Sequence, residues 1–324
     1  MRVGRGWHVA PHELCPCESM TASPLQVRDI QFEWGVRTYV MAILNVTPDS
    51  FSGDGIGTDP ERLRARVGEI LSDQPDIIDV GGESTRPGAT PIAPDEELAR
   101  VLPAIQTIRG QSAIPISIDT RRPQVARAAL HAGADVVNDV SGMEMDPSMF
   151  SLVAERRVPL VITHSRRAQA SRAEFGAHFR PVAYGDLLTD MHRDMQELLE
   201  RARSAGIPNE RVIVDPGFGF GKAPDQNIEL LRRLAEVQAL GLPMLVGVSR
   251  KSFIGQMTGA AVSDRLEGSL AAAVIAISHG ADMVRVHDVR ATQRAVAVAD
   301  AIFRHSGHKS LALHRLDAPV TRPG

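Results

Sequence analysis

The chain has 324 residues, 43% hydrophobic but only 4% aromatic, and a formal net charge of −3. That length holds one large barrel or two ordinary domains, and the slightly acidic balance argues against a general nucleic-acid binder. No apolar stretch reaches membrane-spanning length; the run around Ser269–Ser278 is too short and too rich in alanine.

The first 24 residues contain the only cysteines, Cys15 and Cys17, near His8 and His12. No second pair completes a metal site, and no apolar h-region makes this a secretory signal, so a disordered leader is expected. Met20 is a candidate start, fold-like sequence begins near Leu25, and the cysteine usage fits a reducing cytoplasm. From there, short apolar runs alternate with helical patterns. The runs are Val40–Leu44, Asp76–Val80, Ile114–Ile118, Asp135–Val140, Pro159–Thr163, Arg211–Val214, Met244–Val248 and Asp282–Val286. Between them, Asp59-Pro60 opens a helix over Glu61–Leu71, and Ala93-Pro94 one over Glu96–Arg109 in which Pro103 leaves room for a kink or an early break. Further helices are predicted over Gln124–His131, Ser148–Arg156, from Asp186 to Arg203, and over Asp225–Gln238, Leu266–His279 and Ala291–Phe303. The polar tail after His305 is expected to be disordered. Strand–helix alternation predicts parallel pairing and a single (β/α)8 TIM barrel over 25–305, with the active site at the C-terminal strand ends. A doubly wound sheet would need a glycine-rich phosphate turn after its first strand; here that turn is Asn45-Val46-Thr47-Pro48-Asp49.

Each run ends in polar residues, and these fall into two chemical groups. Asp119, Asn138 and Asp215 are acceptors on rigid strands, suited to the amino group and ring N–H donors of a nitrogen heterocycle. Asp119 could equally cap the helix after it, and Asp215-Pro216 could be a plain turn. Asn45, Arg86, Lys251, Arg285 and His287 form a second set suited to an anion such as a diphosphate, with Arg285 and His287 on one face of their strand. Gly217-Phe218-Gly219-Phe220-Gly221-Lys222 fails as a phosphate loop, because Pro216 and Ala223 occupy required positions. It fits a pocket wall in which Phe220 stacks on a flat ring. The segments Asp49–Gly55 and Glu83–Pro91 have the composition of closing loops.

The motifs Asn45–Ser52, Asp79–Gly88, Ile118-Asp119-Thr120, Asn138–Gly142, Asp215–Lys222, Ser249–Ser252 and Arg285–Asp288 resemble the dihydropteroate synthase family, in its order and over roughly Leu25–Phe303. The resemblance implies a transferase of folate biosynthesis. Such an enzyme condenses 6-hydroxymethyl-7,8-dihydropterin diphosphate with p-aminobenzoate, using Mg²⁺, and diphosphate departs before the arylamine attacks. It implies pterin contacts from Asp119, Asn138, Asp215 and Lys251, and diphosphate contacts from Asn45, Arg86, Arg285 and His287, with Asn45 also near the metal. Phe51, Thr85, Pro87, Phe220, Lys251 and Ser252 would frame the p-aminobenzoate slot, for which sulfonamides compete as mimics. Asp119, Lys251 and Arg86 are the expected catalytic residues. A cytoplasmic homodimer is expected, the apolar helix Leu266–His279 offering a surface, with no nucleic-acid or membrane partner.

The chain departs from the family pattern at the fifth strand end, where Thr163-His164-Ser165 stands for the common Met-His-Met and Arg166-Arg167 follow. This removes apolar contact expected against the pterin, so restoring methionine should tighten pterin binding. Ala42 replaces a common glycine, and Ser52-Gly53-Asp54-Gly55 permutes Ser-Asp-Gly-Gly. Three other functions fit a barrel of this kind. A non-catalytic paralogue would be expected to lose Arg86 or the Ser-Arg-Lys motif, which are present. A pterin-dependent methyltransferase would not need the Ser-Thr-Arg-Pro segment. A phosphate-binding isomerase or an aldolase with Lys251 as nucleophile is the reading left if the resemblance is set aside.

Overall fold

The computed structural model of the chain describes residues 22–47, 59–83, 91–166 and 182–304. A short antiparallel hairpin, β1 (Leu25–Val27) and β2 (Ile30–Phe32), comes first. Eight parallel strands follow: β3 (Tyr39–Asn45), β4 (Ile77–Gly81), β5 (Ile116–Asp119), β6 (Val136–Asp139), β7 (Leu160–Thr163), β8 (Val212–Asp215), β9 (Leu245–Val246) and β10 (Met283–Val286). Their order is β8-β7-β6-β5-β4-β3-β10-β9, and a parallel bridge between Val214 and Met244 joins the two ends. The expected barrel is therefore present, and every expected run contributes a strand.

Side-chain alternation divides each strand between two cores. Val40, Ala42, Leu44, Ile78, Val80, Ile116 and Ile118 pack outward with the helices. Met41, Ile77, Val136, Val161, Ile213, Leu245 and Met283 form the lower barrel interior, together with Leu25, Val27, Phe32 and Trp34 from the hairpin side. The hairpin thus closes the bottom of the barrel. Phe32 and Trp34 stack with ring centres 5.6 Å apart, and Tyr39 lies 4.8 Å from Phe32. The small residues Val, Ile and Ala fill the rest, which is why so few aromatic rings suffice.

The helices are α1 (Pro60–Ser72), α2 (Pro94–Gln111), α3 (Pro123–Ala132), α4 (Pro147–Arg156), α5 (Leu187–Ser204), α6 (Pro224–Arg232), α7 (Ser252–Thr258), α8 (Leu266–Ser278) and α9 (Val289–Phe303). Five of them begin with proline at the first helical position, where its missing N–H costs nothing. Two helices are resolved in detail by the structure. α2 runs unbroken through Pro103, held by buried Val101, Ala104, Ile105 and Ile108. The helix expected over Asp225–Gln238 stops at Arg232 and continues as a 3-10 segment, Leu234–Leu240. At that junction Arg233 is bound by Asp186, Glu229 and Glu236. α7 was not anticipated. The expected leader up to Thr21 and the tail from His305 lie outside the described residues.

Candidate active site

The alternation that builds the lower core also decides what reaches the barrel mouth. Two residues above Ile77, Val136, Ile213 and Met283 on the same inner face stand Asp79, Asn138, Asp215 and Arg285. Strand register sets Asn45 beside Gly81, Gly81 beside Asp119 and Asp119 beside Asn138. Gly81 matters in this row: a Cβ there would lie 3.4 Å from Asn45 Oδ1 and 3.6 Å from Asp119 Cβ. Without that carbon, the amide and the carboxylate share one concave floor.

Arg285 ties the floor together. Its Nε donates to Asp79 Oδ2 at 2.6 Å and its Nη2 to Asp119 Oδ2 at 2.7 Å. Asn138 Nδ2 donates to the same Asp79 oxygen at 3.2 Å. Burial pushes the Asp119 carboxyl up to about 7; Arg285 opposes this and Asp79 adds to it. The second oxygens, Asp79 Oδ1 and Asn138 Oδ1, are buried without a protein partner among the described residues. Buried acceptors left unpaired cost free energy, and a ligand N–H would satisfy them. Asp119 caps no helix, since α3 is preceded by Arg122. Arg285, expected among the anion-binding residues, sits inside the carboxylate network, so its charge is already shared with two acids.

Across the mouth, Asp215 Oδ1 accepts the Gly217 N–H at 2.7 Å. Burial raises the Asp215 pKa, against the pull of that hydrogen bond and of Lys251, Lys222 and Arg285. The turn reading of Asp215-Pro216 is thus fulfilled in the same residue that offers an acceptor. Lys251 Nζ lies 4.6 Å from the Phe220 ring centre, a cation–π contact. Phe220 is half-buried and presents its face to this ammonium. Lys251 is set by Arg250, whose φ of 56° turns the chain sharply. That strained backbone is held by Arg250 Nη2 on Asp288 at 2.6 Å and by the Arg250 N–H on Ser269 Oγ at 2.9 Å. Ser252 is exposed at the first position of α7. His287 Nδ1 is hydrogen-bonded with Ser249 Oγ at 3.0 Å, and the His287 backbone N–H donates to the same oxygen at 3.3 Å.

Phe51, Thr85, Arg86 and Pro87 lie outside the described residues. The stem of the segment that carries the last three is described. Arg122 donates to both Glu83 oxygens at 3.0 Å, to the Ile92 carbonyl at 2.8 Å, and to the fully buried Glu97. Glu83 in turn accepts the Ile92 N–H at 3.2 Å. Burial would raise the Glu83 carboxyl, but Arg122, the Ile92 N–H and Arg121 hold it below its usual value.

The fifth strand end needs a different description from the expected one. Thr163, His164 and Ser165 are all buried, and His164 is held between Lys222 and Asp194. Arg166, which looked anomalous, forms a bidentate pair with Asp194 at 2.5 and 2.9 Å. Asp79, Lys222 and Ser249 appear in the sequence motifs without a role of their own, and Glu97, Arg122 and Asp194 do not appear there at all. Asp79 had a signal, a carboxylate inside the apolar run Ile77–Gly81; the others meet their partners only through the fold. A separate groove of about 880 Å³ on the outer wall, lined by Leu102, Gln124, Arg127 and His131, shares no residue with the mouth.

Residues 41–287 match the model of the pterin binding enzyme family. A dihydropteroate synthase from Synechocystis sp. is 44% identical over 87% of this chain and 96% of its own. The chain belongs to the dihydropteroate synthase family. Solved family members agree with this. A Clostridium difficile dihydropteroate synthase in the presence of pteroic acid superposes with TM-score 0.75 at 41% identity, over 85% of this chain and 100% of that one. The Xanthomonas albilineans dihydropteroate synthase with 4-aminobenzoic acid gives TM-score 0.77 at 41% identity, over 87% and 98%.

Proposed function

We propose that this chain condenses 6-hydroxymethyl-7,8-dihydropterin diphosphate with p-aminobenzoate, releasing 7,8-dihydropteroate and diphosphate. The observation that carries the reading is the floor of buried acceptors. Asp119, Asn138 and Asp215, two of them on register-matched strands, face inward with the unpaired Asn138 Oδ1 among them. A pterin edge offers an amino group and ring N–H donors, which this set would satisfy. Lys251, beside Asp215 and over Phe220, would close the pterin on its open side. With Ser252, Phe220, Phe51, Thr85 and Pro87 it would frame the p-aminobenzoate, the slot for which a sulfonamide competes. Asn45, Arg86, Arg285 and His287 would take the diphosphate.

The chemistry follows from these positions. The bond between the pterin methylene carbon and the diphosphate oxygen breaks first, and both electrons leave with the diphosphate. Arg86, His287 and Arg285 stabilise that charge, while Asp119 steadies the cationic pterin. The arylamine nitrogen then attacks the methylene carbon and loses its proton afterwards, so no general base is required. Mg²⁺ keeps several waters and takes substrate phosphates as ligands, and Asn45, whose Oδ1 stands at the floor's edge, would supply the protein oxygen beside them. When bound, it supplies neutralisation of the leaving diphosphate. No group of three or more His, Cys, Asp or Glu side chains suited to a metal occurs among the described residues.

We also read the chain as a cytoplasmic homodimer. Ile275 on α8 and Val298 and Ile302 on α9 are exposed apolar residues on neighbouring helices, and no described helix is long and apolar enough to cross a membrane. The deciding experiment supplies purified protein with both substrates and Mg²⁺ and follows dihydropteroate and diphosphate together. Equal formation of both, lost in Lys251→Ala, is expected. Pterin binding with neither product would point instead to a non-catalytic paralogue.

A further inference from the structure

Lys222 is 8% exposed and has no role in the chemistry above, although it closes the glycine-rich segment of the pocket wall. Its Nζ donates to the Gly217 carbonyl at 2.9 Å, to the His164 carbonyl at 3.3 Å and to His164 Nδ1 at 2.9 Å. All three ammonium protons are therefore used. Gly217 is the residue whose N–H holds Asp215 Oδ1. Its φ is +72°, and a Cβ there would overlap the His164 carbonyl oxygen. One ammonium thus joins the ends of two neighbouring barrel strands, β7 through His164 and β8 through the Asp215–Gly217 turn. Behind it, His164 Nε2 faces Asp194 Oδ2 at 3.2 Å, and Asp194 is fixed by Arg166. A buried amine without a facing carboxylate in hydrogen-bond contact is costly, so its retention needs a compensating contact network. The network found here ends on the backbone that aims Asp215.

We propose that Lys222 is a positioning residue for the pterin site, its ammonium locking the Asp215–Gly217 turn against His164 so that the Asp215 carboxylate meets the pterin edge in a fixed direction. This rests on the reading that Asp215 holds the pterin. The charged and titratable groups around Lys222 are Asp215, Lys251, Arg166, Asp194 and His164. Burial lowers its pKa to about 7, Asp215 and Asp194 pulling upward and Lys251 and Arg166 downward. The grip on the turn is therefore strongest below that value and weakens as the amine loses its proton.

The test measures binding of 6-hydroxymethylpterin by calorimetry to wild type and Lys222→Met, alongside steady-state kinetics. The expected result is a Kd for the pterin raised about tenfold, as for loss of one hydrogen bond to a charged group. The KM for pterin diphosphate rises with it, and the KM for p-aminobenzoate at saturating pterin stays unchanged. The ratio of variant to wild-type Kd is largest about one pH unit below the Lys222 pKa and shrinks above it. A purely structural role would change neither the split between the two substrates nor this ratio. If Lys222→Met does not fold, Lys222→Gln, which keeps a neutral donor, replaces it with a smaller change of the same sign. Unchanged pterin Kd in a folded variant, with wild-type turnover intact, overturns this inference alone. Wild-type protein that does not bind the pterin overturns it together with the proposed function.

Discussion

Gly217 shows how one backbone position carries several demands at the residue scale. Its positive φ, the nearby His164 carbonyl and its N–H bond to Asp215 are compatible only without a side chain. Gly217→Ala must adopt a left-handed conformation that costs roughly 1–2 kcal/mol for any L-residue. It must also push β7 and β8 apart at their ends. The expected outcome is a fall in unfolding free energy beyond that figure, with pterin binding lost out of proportion to it. Urea titration with and without 6-hydroxymethylpterin measures both, and an unchanged midpoint would show that the turn has room the geometry denies. At this scale the sequence was informative where residues act through strand position. Asp119, Asn138 and Asp215 were legible because each ends an apolar run. Lys222 was visible only as a failed phosphate-loop lysine. Its partner His164 lies 58 residues away, and nothing local announces such a contact.

Among the elements, the barrel has two ends with separate duties. The eight strands were readable because buried parallel strands are apolar runs and proline marks helix starts. The hairpin β1–β2 was not, since three-residue strands give no usable period. α7 was hidden for a similar reason, being seven residues long. The hairpin nevertheless supplies Phe32, 1% exposed among Trp34, Tyr39 and the lower strand residues. Phe32→Ala should cost about 3–5 kcal/mol, the range for a buried phenylalanine replaced by alanine. It should leave the KM of both substrates unchanged at temperatures where the variant stays folded, because the mouth lies at the opposite strand ends. Thermal melting and kinetics on one preparation test the division. A large KM change in folded Phe32→Ala would mean that the bottom layer transmits strain to the site.

For the molecule as a whole, acidity is the condition under which the buried polar networks compete. Asp119 and Asp139 have raised pKa values and favour the fold as pH falls, whereas Glu83 and Asp194 are held below the usual carboxylate range and lose stability there. His164 belongs with the second pair. Burial, aided by the Lys222 charge and opposed by Asp194, lowers its pKa to about 3. An unfolded histidine titrates near 6.5, so between about 6.5 and 3 the unfolded chain binds a proton that the fold refuses. Its contribution is complete above the upper value and is lost as pH falls through the window. The slope is at most about 1.36 kcal/mol per pH unit for one proton. His164→Gln keeps a polar side chain without the titration and should be less stable than wild type at neutral pH. The gap should narrow steadily toward pH 4. Urea midpoints of both proteins across that range give the difference directly; groups away from His164 cancel in it, while Asp194 and Lys222, which touch it, contribute with it. A constant gap would show that His164 accepts its proton within the fold, and that the Lys222–His164 contact is already open in mild acid.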